Sequence, residues 1–341
     1  MAAFVAAVAP VSRRLAAAAP RLARVHPCRG GIVAVPRRSR RVVAMATSPA
    51  APPASSTQAP PQPSVAAAGV TPHVSYTSLD GNSFVLAAGP VADPVVRLFI
   101  DPWLVGELKF LPAVPNFYTA TKARIDEDTS IAQYGRIDGI VLTQALPDHL
   151  HTPTLKRLDK AIPVLAPGSA AGPLADLGFT DVTIMRPGET ATFCGVAIEA
   201  TTGSLVGPPW QDPENGYIFD FGGGSPAARV YYEPHGNHGD DVLRRVAEVG
   251  VDVLVTPVKT VAFKGIGYKL VNGDDALPAV AAVGVSKVVV LENTNTKGVG
   301  ILNAAIGVKG TIDGFKAGLG EGVQVIVPKV GEPEVLCEGD A

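Results

Sequence analysis

The sequence predicts an α/β protein of four layers, in which two sheets pack face to face and helices cover their outer sides. The first observation behind this is order. Between residues 74 and 328 a β-rich stretch followed by alternating strands and helices occurs twice, and each such half buries one sheet face under helices and the other against its twin. The second is length, since about 270 residues follow residue 70, enough for a large core. Element order alone is compatible with other four-layer arrangements.

The elements follow from local pattern. Val74 to Ser78 and Ser83 to Ala87 flank Asp80-Gly81-Asn82, a hairpin signal. Val95 to Ile100 is a buried strand stopped by Pro102, which holds Asp101 at the strand end. A helix is expected around Ser130 to Tyr134, a strand at Ile140 to Leu142, and a helix over Leu155 to Ala161 with Thr152 as N-cap and Pro153 at its first position. Pro163 to Ala166 reads as a strand and Ser169 to Leu177 as a helix closed by Gly178. The second β-rich block runs from Val182 through Ala191 to Ala200, with a turn at Cys194-Gly195. Tyr217 to Phe221 and Ala228 to Tyr232 form a hairpin across a glycine loop that admits positive φ. Helix at Val242 to Val249, strand at Val251 to Thr256, helix at Asp274 to Val283 and strand at Lys287 to Leu291 follow. Gly314 to Leu319 is a last short helix before the strand Val323 to Pro328.

The domain proper spans residues 71–335, with a tail at 336–341. Residues 1–45 carry nine arginines and no acidic residue, the composition of a transit peptide rather than a secretory signal. The small apolar start, Met1-Ala-Ala-Phe, with arginines later, favours the chloroplast stroma, with the mitochondrion second. Residues 46–70 are mostly Ala, Pro and Ser and read as a linker. Without the presequence, 20 basic residues face 31 acidic ones, a formal charge of −11. That argues against nucleic acid and anionic membrane surfaces as partners, and no apolar run is long enough to span a bilayer. Cys28, Cys194 and Cys337 make no disulfide framework.

The strand at Ile140 to Leu142 ends in a loop that carries Asp148, His149 and His151 together. The segment Leu142-Thr-Gln-Ala-Leu-Pro-Asp-His149 resembles the first metal motif of the metallo-β-lactamase superfamily, His-x-His-x-Asp-His, with Asp148 and His149 matching and Gln144 and Leu146 standing where two histidines are expected. Phe99-Ile-Asp-Pro-Trp103 and Arg186-Pro-Gly-Glu-Thr190 are similar to other phrases of that family, nearest to its ascorbate-6-phosphate-lactonase-like plant and cyanobacterial branch. The resemblance implies the four-layer αββα sandwich, with a site at one edge where loops of both halves meet.

It also implies ligand positions, and most are altered. Ser204 stands where a third-motif histidine belongs, His235 where a bridging aspartate belongs, and Asn293 where a fifth-motif histidine belongs. The implied set is Asp148, His149 and His235 as ligands of one zinc or other divalent transition-metal ion, with His151 or Glu233 as a further donor, and Asp148 and His149 catalytic. Such a site acts on an ester, lactone or phosphate bond through metal-bound water. The alternative is a metal-free, non-catalytic descendant that binds a small molecule or a protein partner in the old cleft. Asp101, Trp210, Glu233 and Asn293 are candidate substrate-binding residues. Plainer roles compete with each. Asp148 and His149 can simply cap the following helix, Asp101 can finish a turn, and the loop of His235 and His238 can be a solvated turn.

Overall fold

The computed structural model describes residues 73–122, 130–205, 214–222, 228–265 and 267–339. The presequence and linker, Cys28 and Trp210 lie outside the described residues. Strands β1 (Val74–Ser78) and β2 (Phe84–Ala88) form the expected hairpin, and its turn places Asp80 at φ 71° and Gly81 at φ 62°, the paired positive angles that match strand twist. Next come β3 (Val96–Ile100), the short pair β4 (Leu108–Phe110) and β5 (Tyr118–Thr121), β6 (Gly139–Val141), α1 (Thr152–Arg157), β7 (Val164–Ala166), α2 (Ala171–Asp176) and β8 (Val182–Ile184).

The second half holds β9 (Thr190–Phe193), β10 (Val196–Thr202), β11 (Asn215–Asp220), β12 (Arg229–Tyr232), α3 (Asp240–Val249), β13 (Val253–Pro257), β14 (Thr260–Phe263), β15 (Lys269–Val271), α4 (Ala276–Val283) and β16 (Lys287–Leu291). It closes with β17 (Lys297–Val299), α5 (Ile301–Ala305), β18 (Ile306–Lys309), α6 (Ile312–Gly318), β19 (Gln324–Ile326) and β20 (Pro333–Cys337).

Two seven-stranded sheets result, ordered β20-β1-β2-β3-β6-β7-β8 and β19-β16-β13-β12-β11-β10-β9. Their inner faces share one core, in which Phe84, Leu98 and Ile100 meet Phe219, Tyr232 and Val255. Outside the second sheet Val246 of α3, Val280 of α4 and Phe315 of α6 cover Leu254 and Val288. Outside the first, Leu155 of α1 and Leu174 of α2 cover Ile140 and Val164. The layers are α, β, β, α, as predicted.

The structure corrects several boundaries. The expected helix at Ser130 to Tyr134 is a single 3-10 turn, Ile131–Tyr134, stopped by Gly135 at φ 74°. The N-cap of α1 is His151 rather than Thr152, because the His151 side chain accepts from the backbone N–H of Thr154. That helix ends at Arg157 and not at Ala161, since Leu158 turns extended and the Lys160 ammonium donates to the carbonyls of Leu158 (2.7 Å) and Lys156 (3.2 Å). Two further sheets were unforeseen, β15-β14-β18 and β17-β5-β4. Cys194 and Cys337 are free thiols.

Candidate functional site

β3 and β6 run parallel as neighbours, so the loops that leave their ends emerge side by side. Asp101 leaves β3 in a left-handed conformation, φ 44°, rare for a non-glycine residue. Its fully buried carboxylate accepts the Thr143 backbone N–H at 2.8 Å, the Thr143 hydroxyl at 2.7 Å and the Tyr232 hydroxyl at 3.2 Å, and lies 2.8 Å from Nδ1 of His149. With its lone pairs spent inside the protein, Asp101 is not a substrate contact as expected from sequence. It orients His149.

The other ring nitrogen of His149 faces two side chains. Asp148 Oδ2 is 3.4 Å from Nε2 and Asn82 Nδ2 is 3.1 Å from it, while Asn82 Nδ2 also donates to Asp148 Oδ2 at 3.4 Å. Burial opposes charge on His149, yet Asp148 and Asp101 on either side outweigh it and push the imidazole up to about 10. Burial likewise raises Asp148, but the neighbouring His149 prevails and holds its carboxyl below the usual value. Asn82 is placed by the β1–β2 turn, which Lys122 clamps from below by donating to Leu79 O (3.1 Å), Ser83 Oγ (3.0 Å) and Trp103 O (3.0 Å).

His235 reaches the same place from the loop after β12. Its ring centroid is 5.3 Å from that of His149, and the Gln144 amide nitrogen stands 3.3 and 3.2 Å from its two ring nitrogens. Glu233 does not face a ligand either. Its buried carboxylate accepts the backbone N–H groups of Ser204 (3.1 Å), His235 (3.1 Å) and Asn237 (2.9 Å) and the Ser204 hydroxyl (3.0 Å). Burial works against ionisation of Glu233, but bonding and charge from His235, together with His238, bring its carboxyl down to about 2. Glu214, 1% exposed, has one side-chain hydrogen-bond partner among the described residues, the Ser169 hydroxyl at 3.4 Å.

His151 points elsewhere. Its Nδ1 bonds the Thr154 hydroxyl at 2.9 Å, its Nε2 lies 3.2 Å from the Glu107 carbonyl, and its ring lies 5.4 Å from the Trp103 ring, centroid to centroid. Both nitrogens are used, so it is a helix cap and not a fourth ligand. Burial lowers its pKa to about 4.

A catalytic or structural zinc needs three or four nitrogen, oxygen or sulfur donors around one point. Among the described residues no three His, Cys, Asp or Glu side chains are grouped to hold a metal ion. Asp148, His149 and His235 come to one place but not into one donor set, because the Gln144 amide sits against His235 and the Asn82 amide against His149. The expected one-ion site therefore does not fit the residues present.

What the region does contain is a cleft of about 280 Å³. Asn82, Asp148 and His235 line it, as does Asn293, which donates to Pro234 O at 3.4 Å. Its walls come from the two small sheets and α5, through residues such as Phe110, Val261, Leu302 and Val308. Sequence reading missed Asn82, seen only as part of a turn, and the walls, whose strands are three or four residues long. Lys264 and Lys269 are engaged with Ala304 O (2.9 Å) and Asp274 (2.6 Å), not with the cleft.

A family model described as a beta-lactamase superfamily domain matches residues 75–290. A possible metal-dependent hydrolase from Veillonella parvula shares 17% identity at a TM-score of 0.55, over 77% of this chain and 99% of that one. An isothiocyanate hydrolase from Delia radicum gut bacteria shares 16% at 0.54, over 76% and 98%. Likeness at these identities is one of fold. No curated protein matches the chain.

Proposed function

Because the chain belongs to the beta-lactamase superfamily, we propose that its cleft is a small-molecule site that works without a resident metal ion. The observation that carries this is the closure of the floor by the protein's own groups, Gln144 on His235 and Asn82 on Asp148 and His149, beneath a largely apolar cavity of ligand size. The test is the metal content of the purified protein, with Asp148→Ala and His149→Ala as controls. Substoichiometric metal in all three supports the reading. One ion per chain that is lost in both variants overturns it.

A second reading is favoured by one contact. Asp101 holds Nδ1 of His149 at 2.8 Å and, with Asp148, keeps that imidazole charged, while Asp148 beside it lines the cleft as an ionised carboxylate that can serve as general base. Such a pair suits hydrolysis of an ester, lactone or phosphate bond by protein groups alone. Turnover of a chromogenic ester panel that disappears in Asp148→Ala supports it, and none above the buffer rate removes it. We place the protein in a plastid on its arginine-rich, acid-free residues 1–45. A fluorescent protein fused behind those residues should enter isolated chloroplasts and not mitochondria, and the opposite partition overturns the placement.

A further inference from the structure

The first sheet carries a second cavity, of about 280 Å³, on the face turned away from the shared core. Thr77 of β1, Val85 of β2 and Phe99 of β3 are cross-strand neighbours that line it. They alternate with Tyr76, Phe84 and Leu98, which point into the core. Where α1 and α2 cover β6 and β7 of this sheet, the cavity over β1 to β3 is bordered by the 3-10 turn, through Gln133 and Tyr134, and by the turn before β20, through Val330 and Gly331. No residue of this lining is shared with the cleft.

Three charged side chains line the cavity, and two of them are taken. Lys122 spends its ammonium hydrogens on Leu79 O, Ser83 Oγ and Trp103 O, and the buried Asp80 carboxylate favours that charge, so the two offset each other. Asp80 also accepts the Gly81 backbone N–H at 3.0 Å. Arg97 is different. Its backbone N–H donates to Asp138 at 2.8 Å and its half-buried guanidinium lies 5.7 Å from the Phe99 ring centroid, but that guanidinium has no hydrogen-bond acceptor among the described residues. Asp138, the carboxylate whose charge reaches it, is already bonded to Arg136 at 2.8 Å. An arginine keeps its charge when partly buried, so the cavity holds one positive charge and a fork of N–H donors in excess.

We propose that this cavity is a second small-molecule site, which takes one carboxylate on an apolar, ring-sized body, the carboxylate on the Arg97 guanidinium and the body against Leu79, Val85 and Phe99. A single unmatched charge suits a monoanion, and the planar fork suits its two oxygens. Thr77 and Gln133, which also line the cavity, can each donate. A phosphate monoester brings more negative charge than Arg97 matches, with Asp80 beside it. The test is titration of the isotope-labelled full chain, read from its amide NMR shifts, with phenylacetate, the uncharged phenylacetamide and phenyl phosphate. Phenylacetate should move the amides of Thr77, Val85 and Phe99, and should bind at least about tenfold more tightly than phenylacetamide and more tightly than the phosphate. Arg97→Leu should remove the preference for acid over amide, Arg97→Lys should keep part of it, and Thr77→Phe, which fills the cavity from β1, should weaken both ligands. Equal binding of acid and amide overturns the assignment, as does a preference that survives Arg97→Leu or binding that survives Thr77→Phe. Tighter binding of the phosphate overturns the choice of carboxylate. Shifts confined to Val261, Leu302 and Asn303 place the ligand in the cleft and overturn the second site, and so does the absence of any shift.

Discussion

Glu214 is buried close to His149, Asp101 and Asp148 with little to compensate its charge. It is 1% exposed, Oε2 meets only the Ser169 hydroxyl at 3.4 Å, and Oε1 has no partner among the described residues. Burial pushes its carboxyl up to about 8; His149 and the Ser169 hydroxyl oppose the rise, and Asp101 and Asp148 add to it. A carboxyl raised in the fold weakens it on the alkaline side. Below the ordinary value of 4.5 the folded and unfolded chains are both protonated and nothing is lost. Between there and about 8 the unfolded chain releases a proton that the fold keeps, so stability falls as pH rises. At pH 7 the unfolded carboxyl has been titrating over roughly 2.5 pH units, which at about 1.36 kcal/mol per unit is about 3 kcal/mol. Glu214→Gln copies the protonated form and does not titrate. Urea unfolding of both proteins from pH 4.5 to 8 should give similar stabilities at the acid end and a variant more stable by about 3 kcal/mol at pH 7. A difference that stays constant across the range refutes the argument.

Three further substitutions test the frame around the site. Asp101→Asn leaves buried donors and His149 poorly matched and should cost about 3 kcal/mol, a fall in Tm of roughly 6–12 °C, whereas Tyr232→Phe, which removes one bond to Asp101, should cost about 1 kcal/mol; equal shifts in thermal unfolding would deny Asp101 its central place. His151→Ala removes a helix cap and should cost about 1–2 kcal/mol in denaturant unfolding, and an unchanged midpoint would deny His151 that role. Gly273→Ala would bring a Cβ to 2.3 Å from the Lys259 backbone and should cost roughly 1–3 kcal/mol. Gly168→Ala, with open space around it, should leave unfolding unaltered, and matching effects of the two would show that contact is not the cause.

The central strands of the main sheets were legible because they are continuous apolar runs buried on both faces, whereas the half-exposed edge strand Pro333–Cys337 was not. Val96–Ile100 and Lys287–Leu291 fall where the sequence puts them. The small sheets were not, since strands such as Leu108–Phe110 and Lys297–Val299 are three residues long and partly exposed, too short for a period of two to register. At the site, Asp148 and His149 could be read from one loop. The role of Asp101 could not, because its partners Thr143 and Tyr232 lie 42 and 131 residues away. His151 was misassigned for a local reason: a histidine beside two candidate ligands looks like a third, and only Thr154, three residues on, shows that its Nδ1 is taken.

The positions where the resemblance calls for histidines are filled by groups that bond their own surroundings. Gln144, standing where the resemblance calls for a histidine, now faces the ring nitrogens of His235. Ser204, at another such position, donates through both backbone and hydroxyl to Glu233, and Glu233 in turn holds the backbone N–H of His235. Leu146 turns its side chain to the cleft, while its carbonyl accepts the N–H groups of His149 and Leu150. Asn293 reaches the Pro234 carbonyl, one residue before His235. Each of these residues is thus a partner of His149 or His235 or of the loop that carries it. In a buried region where unmatched polar groups cost more than matched ones return, that mutual bonding helps to fix the loops that carry Asp148, His149 and His235.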